Sequence, residues 1–203
     1  MPEVRNDAAA VDGRRVRGQE NRRKIVEAML ALIGEGMISP SAEEVAARAE
    51  VGLRTVFRHF DDMDSLYREI SALMSAELMP IATAPFPEGS WQDRIFDLVQ
   101  RRGRVFEKMM PFKIAADVHR HRSDFLNEEH AEVIGMQRRT LQAALGGKSR
   151  LDPLKFEALN LVMSFDAWRH MRIDQKLSVA QVTKILMMSA EALLRDEPGW
   201  ATK

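Results

Sequence analysis

The chain contains no cysteine, a single tyrosine and only 6% aromatic residues. Without cysteine there are no disulfides, no thiolate nucleophiles and no Cys-based zinc sites. Neither sign of charge is in excess, with Lys plus Arg and Asp plus Glu equal at 30 each, so any basic surface has to be local. No apolar run approaches the roughly 20 residues of a membrane span. The segment Met1 to Arg17 is charged where a secretory signal needs an apolar core. The chain is therefore expected neither to span a membrane nor to be exported by that route, and a cytoplasmic location follows as the expectation.

What is present suits a folded protein. The 203 residues are 45% apolar and 30% charged, enough to bury a core as one medium domain or as a small head on a larger body. Nothing alternates with the period of two of a half-buried strand, and helical punctuation recurs from Asn21 onward. The expected fold is all-α, with about nine helices. Ile25, Met29, Leu32 and Ile33 form one stripe of a first helix that ends at Gly34 and Gly36. Ser41 and Glu44 have capping-box spacing, which starts a second helix at Ala42. That helix breaks at Glu50-Val51-Gly52, and a third short helix runs from Leu53 to Phe60.

Further on, a fourth helix is expected from about Asp62 to Leu78, interrupted by Pro80, Pro85, Pro87 and Gly89. Ser90 with Asp93 opens the next, which Pro111 breaks or kinks before it reaches Arg120. Ser123 starts a long helix ended by Gly146-Gly147. Asp152-Pro153 opens a single helix to about Arg172, and Ser178 with Gln181 starts the last, which stops before Pro198-Gly199.

The segment from Ser41 to Phe60 has helix-turn-helix logic. Small Ala46 and Ala49 allow close approach of two helices over a core of Val45, Val51, Val56 and Phe60. Arg54, Thr55, Phe57 and Arg58 are left pointing elsewhere, a free face suited to a major groove. Ala49-Glu50-Val51 and Thr55-Val56-Phe57-Arg58-His59-Phe60, preceded by the Ile25 to Ile33 helix, resemble the head of TetR-family transcriptional regulators over about Asn21 to Leu66. The resemblance implies a flexible basic extension over 1–18, a DNA-binding head over 19–66 and a ligand-binding and dimerisation body over 67–203. It also implies that Leu53, Arg54, Thr55 and Phe57 face base edges of double-stranded DNA, with Ser41, Arg58 and His59 at phosphates, and Arg23 is a further candidate for DNA binding.

Arg54 is the candidate for reading guanine, with a phosphate contact as the alternative. Arg14, Arg15 and Arg17 either track the minor groove or form a tail of diffuse attraction. Glu50, Phe57 and Met63 depart from the family pattern, standing where glycine, tyrosine and lysine are usual. If the turn needs positive φ, Glu50 is strained there by roughly 1 kcal/mol.

In the body, Phe156, Leu159, Met163 and Trp168 on one helix and Val182, Ile185, Leu186 and Leu193 on another make the last two helices amphipathic. The resemblance makes them the interface of a homodimer. Phe106, Met109, Met110 and Phe112, with Phe125, Met136, Phe165 and Trp168, are candidates for a pocket taking a small apolar ligand. Ordinary core packing explains the same residues. His119, His121, His130 and His170 are the polar candidates near it. His119 and His121, two apart, point to opposite sides of a helix, and no H-E-x-x-H, phosphate-cradling glycine loop or G-x-S-x-G turn occurs. No metal site, cofactor or enzymatic activity is expected. A ligand-released repressor is the leading reading; a ligand-independent regulator and a helical interaction module or enzyme that binds no DNA are the alternatives.

Overall fold

The computed structural model describes residues 7–146 and 151–197, with side chains from Arg15 onward. The expected helix stops at Gly147 and at Pro198-Gly199, and the side chain of Arg14, lie outside the described residues. Among these residues there are α-helices and no strand: α1 (Asp7–Gly34), α2 (Ala42–Arg48), α3 (Leu53–His59), α4 (Met63–Ala82), α5 (Trp91–Arg120), α6 (Asp124–Ala144), α7 (Pro153–Val162), α8 (Phe165–Arg169) and α9 (Val179–Leu194). A π-helical turn, His170–Asp174, follows α8.

The chain divides into two compact units. The first comprises the residues up to Met74 together with Pro111–Leu126; the second comprises Ser75–Met110 and the described residues from Asn127 onward. These units do not coincide with the expected segments 19–66 and 67–203, because the first turns of α4 and the end of α5 share the head's core.

In the first unit, α1 buries Ile25, Val26, Met29, Leu32 and Ile33, the stripe expected from the sequence. Burying each such side chain contributes about 1.5–3 kcal/mol. The helix reaches back to Asp7 through the alanine run at 8–10, the strongest helix-forming sequence in it, where a flexible extension was expected. It stops at Gly36, whose φ of 97° lets Gly36 N–H and Met37 N–H return to the Ile33 and Leu32 carbonyls. Helix α2 starts on the expected capping box, with Ser41 Oγ accepting from Glu44 N–H at 3.2 Å and Glu44 accepting from Ser41 N–H at 2.8 Å. Val45, Ala46, Val56 and Phe60 close over α1, joined by Leu66, Tyr67 and Ile70 from α4. Ala115, Ala116 and Leu126 complete that core.

Three differences from the expected helices concern the later elements. α4 continues through Pro80 to Ala82, and α5 runs unbroken through Pro111. A proline inside a helix removes one backbone hydrogen bond and crowds the carbonyl four residues back, at a cost of about 3 kcal/mol. In α5, the buried Phe106, Met109 and Met110 before the proline and Ala115 and Ala116 after it offset that cost. The single helix expected from Asp152 to about Arg172 is instead split at Met163 and Ser164. Ser164 Oγ accepts from Ala167 N–H at 3.1 Å and so starts a new helix where the apolar period alone reads straight through.

Candidate nucleic-acid interface

Helix α3 is held from one side only. Val56 is its one buried residue, with Phe60 at its C-cap buried beside it. At 3.6 residues per turn, Leu53, Arg54, Phe57 and Arg58 share the opposite face. Leu53 is 37% exposed and Phe57 50% exposed, too much apolar surface for a short helix whose only task is packing. Arg54 and Arg58 are exposed and make no ion pair among the described residues. Thr55 is half-buried at the flank. Two unpaired guanidinium groups flanking two exposed apolar side chains suit a major groove, where arginine reads guanine and apolar groups meet thymine methyls.

The turn before α3 is fixed by its backbone. Glu50 has φ of 55°, with its N–H donating to the Ala47 carbonyl and Val51 N–H to the Ala46 carbonyl at 3.0 Å. This is a Schellman termination with glutamate in the left-handed position that glycine favours.

Not all expected contacts are equally available. His59 is half-buried, and its Nε2 is buried without a partner. Burial first, then the charges of Arg58 and Arg22, push its pKa below the usual histidine value, so the ring is neutral near pH 7 and brings no charge to a phosphate. Arg22, from α1, donates to the His59 carbonyl at 2.6 Å, stacks over Phe60 at 4.4 Å and pairs with Glu69. It therefore locks α3 against α1 and α4, a role that its place in the sequence does not reveal. Arg23 is exposed but paired with Glu27 at 2.6 Å, and Lys24 with Glu20 at 3.7 Å. Ser41 is exposed, yet its hydroxyl and N–H both go to Glu44. That carboxylate, held below the usual range chiefly by the Ser41 backbone N–H, already fills the anion position at the α2 N-terminus. Met63 is half-buried and packs on the first unit's core, below exposed Asp61 and Asp62.

The apolar candidates of the body fall into different places. Phe112 and Phe125 belong to the first unit, with the Phe112 ring 5.9 Å from Tyr67 and Phe125 under the Arg68 guanidinium. In the second unit Phe106 stacks edge-on with Phe165 at 5.5 Å and Trp168 at 6.0 Å. These rings, with Met109 and Met110, are buried as core. Only Met136 of the candidate set lines the second unit's cavity, a cleft of about 420 Å³ whose wall also carries Met79, Phe86, Arg101, Arg139 and Thr140. None of the four expected histidines lines it. His119 instead hydrogen-bonds Ser39 at 3.0 Å in the first unit, and His170 pairs with Asp174 at 2.8 Å in the second.

Sequence reading missed Arg101 and Arg102, both buried on α5. A signal existed: Arg102 lies four residues from both Leu98 and Phe106, on the apolar stripe itself. Arg101 donates to the Ala84 and Pro85 carbonyls, pairs with Asp97 and lies under Phe86, so it fastens the loop that walls the cleft.

No family model matches the chain, and no curated protein matches it. Solved structures do match in fold. A transcriptional regulator from Rhodococcus sp. RHA1 superposes with a TM-score of 0.66 at 18% identity, covering 86% of this chain and 96% of that one. A TetR transcriptional regulator from Rhodococcus sp. RHA1 gives 0.55 at 18% identity, covering 89% and 98%. The multidrug binding protein EbrR, complexed with imidazole, gives 0.52 at 21% identity, covering 84% and 89%. The fold is thus that of all-helical transcriptional regulators. Within that class, it is the TetR fold.

Proposed function

We propose that this protein is a TetR-family transcriptional regulator, a repressor that binds a palindromic operator as a cytoplasmic homodimer and is released by a small molecule held in the body. The observation that carries the reading is the free face of α3, with Arg54 and Arg58 unpaired beside exposed Leu53 and Phe57. Leu53, Arg54, Thr55 and Phe57 read bases, and Arg58 anchors the backbone. Arg23 exchanges its exposed partner Glu27 for phosphate at little cost, because such surface pairs contribute 0–1 kcal/mol at most, on the order of RT.

The dimer forms through α7 and α9. Each buries one face, with Leu159, Val182 and Leu186 fully enclosed, while Leu154 at 80% exposure, Leu161 and Met188 present apolar surface on the other. A two-fold interface of this kind pairs the same patch from each subunit.

The test is titration of a labelled random-sequence duplex with wild type, Arg54→Ala and Arg58→Ala at several salt concentrations. Wild type binds with a steep salt dependence. Arg58→Ala lowers the slope of log affinity against log salt by about 0.9 per subunit. No measurable duplex binding at low salt overturns the reading.

A further inference from the structure

One cation in the second unit lacks what buried charges require. Arg102 is 4% exposed. Its Nη1 donates to the Met163 carbonyl at 2.7 Å, its Nη2 donates to the Gln137 carbonyl and lies 3.4 Å from Thr140 Oγ1, and its Nε has no partner. No carboxylate among the described residues pairs with it, although Arg101, Arg139 and Arg172 in the same unit each have one, in Asp97, Glu132 and Glu107. Burial alone pulls the Arg102 pKa down to about 9. The Met163 and Gln137 carbonyls compensate part of the desolvation, but an enclosed charge without a counterion remains costly.

Thr140 connects this charge to the cleft. Thr140 lines the cavity, and its side-chain oxygen is the group 3.4 Å from Arg102 Nη2. Its hydroxyl proton now goes to the Gln137 carbonyl at 3.0 Å, an acceptor that Arg102 already satisfies. The proton can therefore leave that carbonyl for a ligand's acceptor without orphaning it. The remaining wall is mainly apolar, from Met79, Ala82, Pro85, Phe86 and Met136. Its own cations are already neutralised, Arg101 by Asp97 and Arg139 by Glu132. The net environment is an apolar cleft with one uncompensated positive charge one side chain behind it.

We propose that this cleft takes a small amphipathic monoanion, an apolar body with one carboxylate, the carboxylate accepting a hydrogen bond from the Thr140 hydroxyl beside the Arg102 guanidinium. The ligand supplies the counterion that the fold omits, and Arg102, by donating to the Thr140 oxygen, sharpens that hydroxyl as a donor. An amine is repelled by the same charge, and a neutral alcohol gains only the apolar contacts. The inference rests on reading the body as ligand-binding and names the ligand's chemical class.

The experiment is calorimetric titration of the full chain, without DNA, using octanoate, octan-1-ol and octylammonium. Octanoate binds about tenfold or more tighter than octanol, the size of one charge-assisted hydrogen bond, and octylammonium binds weakest. Thr140→Val, which keeps the shape of the wall, reduces the preference to near parity, as does Arg102→Met. Met136→Trp fills the cleft and abolishes octanoate binding. Equal binding of octanoate and octanol to wild type, tighter binding of octylammonium, or an undiminished preference in Thr140→Val overturns the proposal, whether or not Arg102→Met folds. Duplex affinity measured on the same preparations separates the two readings. Octanoate binding that leaves duplex affinity unchanged supports the carboxylate site and contradicts release by ligand. Absence of carboxylate preference in a protein that binds duplex contradicts only the carboxylate site.

Discussion

Glu50 shows how far a single position can be read. Its place two residues after α2, where the resembling family has glycine, raised the question of a left-handed backbone, and φ is 55°. Its exposed side chain has no hydrogen bond or ion pair among the described residues to offset the strain, so Glu50→Gly is expected to raise stability by up to about 1 kcal/mol in urea unfolding. A loss of stability would show that the side chain has a compensating role. Met63 was legible only in part. Its departure from lysine is visible in the sequence, but its packing on the head core depends on where α4 starts. Met63→Lys should cost at most about 1 kcal/mol, because the lysine stem replaces part of a half-buried contact and its ammonium snorkels outward. It should also steepen the salt slope of duplex binding by about 0.9 per subunit, roughly 1.8 for a dimer. An unchanged slope means that the side chain does not reach a phosphate. His59 could not be assigned from sequence, because its neutrality comes from burial and from two arginines, one of them far along the chain. With a folded pKa below the unfolded value, the unfolded state takes the proton first as pH falls through about 6.5, so folding stability drops over that window. The loss between pH 7.5 and 5.5 should be larger for wild type than for His59→Gln, as measured by denaturant unfolding at both pH values; equal losses would assign the effect to other groups.

At the scale of the element, apolar period and caps were reliable and interruptions were not. The α1 stripe, the Ser41 capping box and the Asp152 and Ser178 starts all stand, because each is a local agreement between side chain and backbone. Pro111 and Ser164 reverse the expected outcome for the same reason. A proline in α5 is tolerated because the turns on both flanks are buried, whereas a serine ends α7 because partners distant in sequence take up the freed groups. Arg102 donates to the Met163 carbonyl, and the Gln137 side chain accepts from Phe165 N–H at 3.2 Å. The π-helical turn after α8 is likewise held from α5, where Glu107 accepts from Trp168 Nε1 at 2.7 Å and from Arg172 at 2.8 Å. Gly103, one residue after Arg102, is the close-approach point: a Cβ there would lie 2.8 Å from Trp168 Cη2. Trp168 is fully buried and tied at its indole nitrogen, so it has little room to give. Gly103→Ala is therefore expected to destabilise the protein by about 1–3 kcal/mol, despite the better helix propensity of alanine. Unchanged or higher thermal stability would mean that the α5 to α8 contact relaxes freely.

For the whole molecule, the class of fold was legible because the α1 stripe with its glycine stop and the Ser41 capping box are local signals, although the start of α1 and the end of α4 were not read. The body was legible only as helices. The features the proposals rest on are a buried arginine without an ion-pair partner among the described residues, a cleft lined by residues far apart in sequence and the outward faces of α7 and α9; the arginine is marked in the sequence only by its place on an apolar stripe, and the cleft by nothing local. The proposed homodimer links the two scales, since a two-fold protein with one α3 per subunit must read a site of matching symmetry. The central claim, that exposed α3 reads DNA as half of a symmetric pair, is tested most directly by selecting bound fragments from a random duplex pool with wild type and with Arg54→Ala, then sequencing them. The expected result from wild type is an inverted repeat with half-site centres about one helical turn, roughly 10 base pairs, or a multiple of it apart. Arg54→Ala should lose preference at one symmetric pair of positions, most simply a guanine in each half-site. A pool that shows no enriched sequence after selection, or an enriched sequence without two-fold symmetry that is indifferent to Arg54, contradicts it.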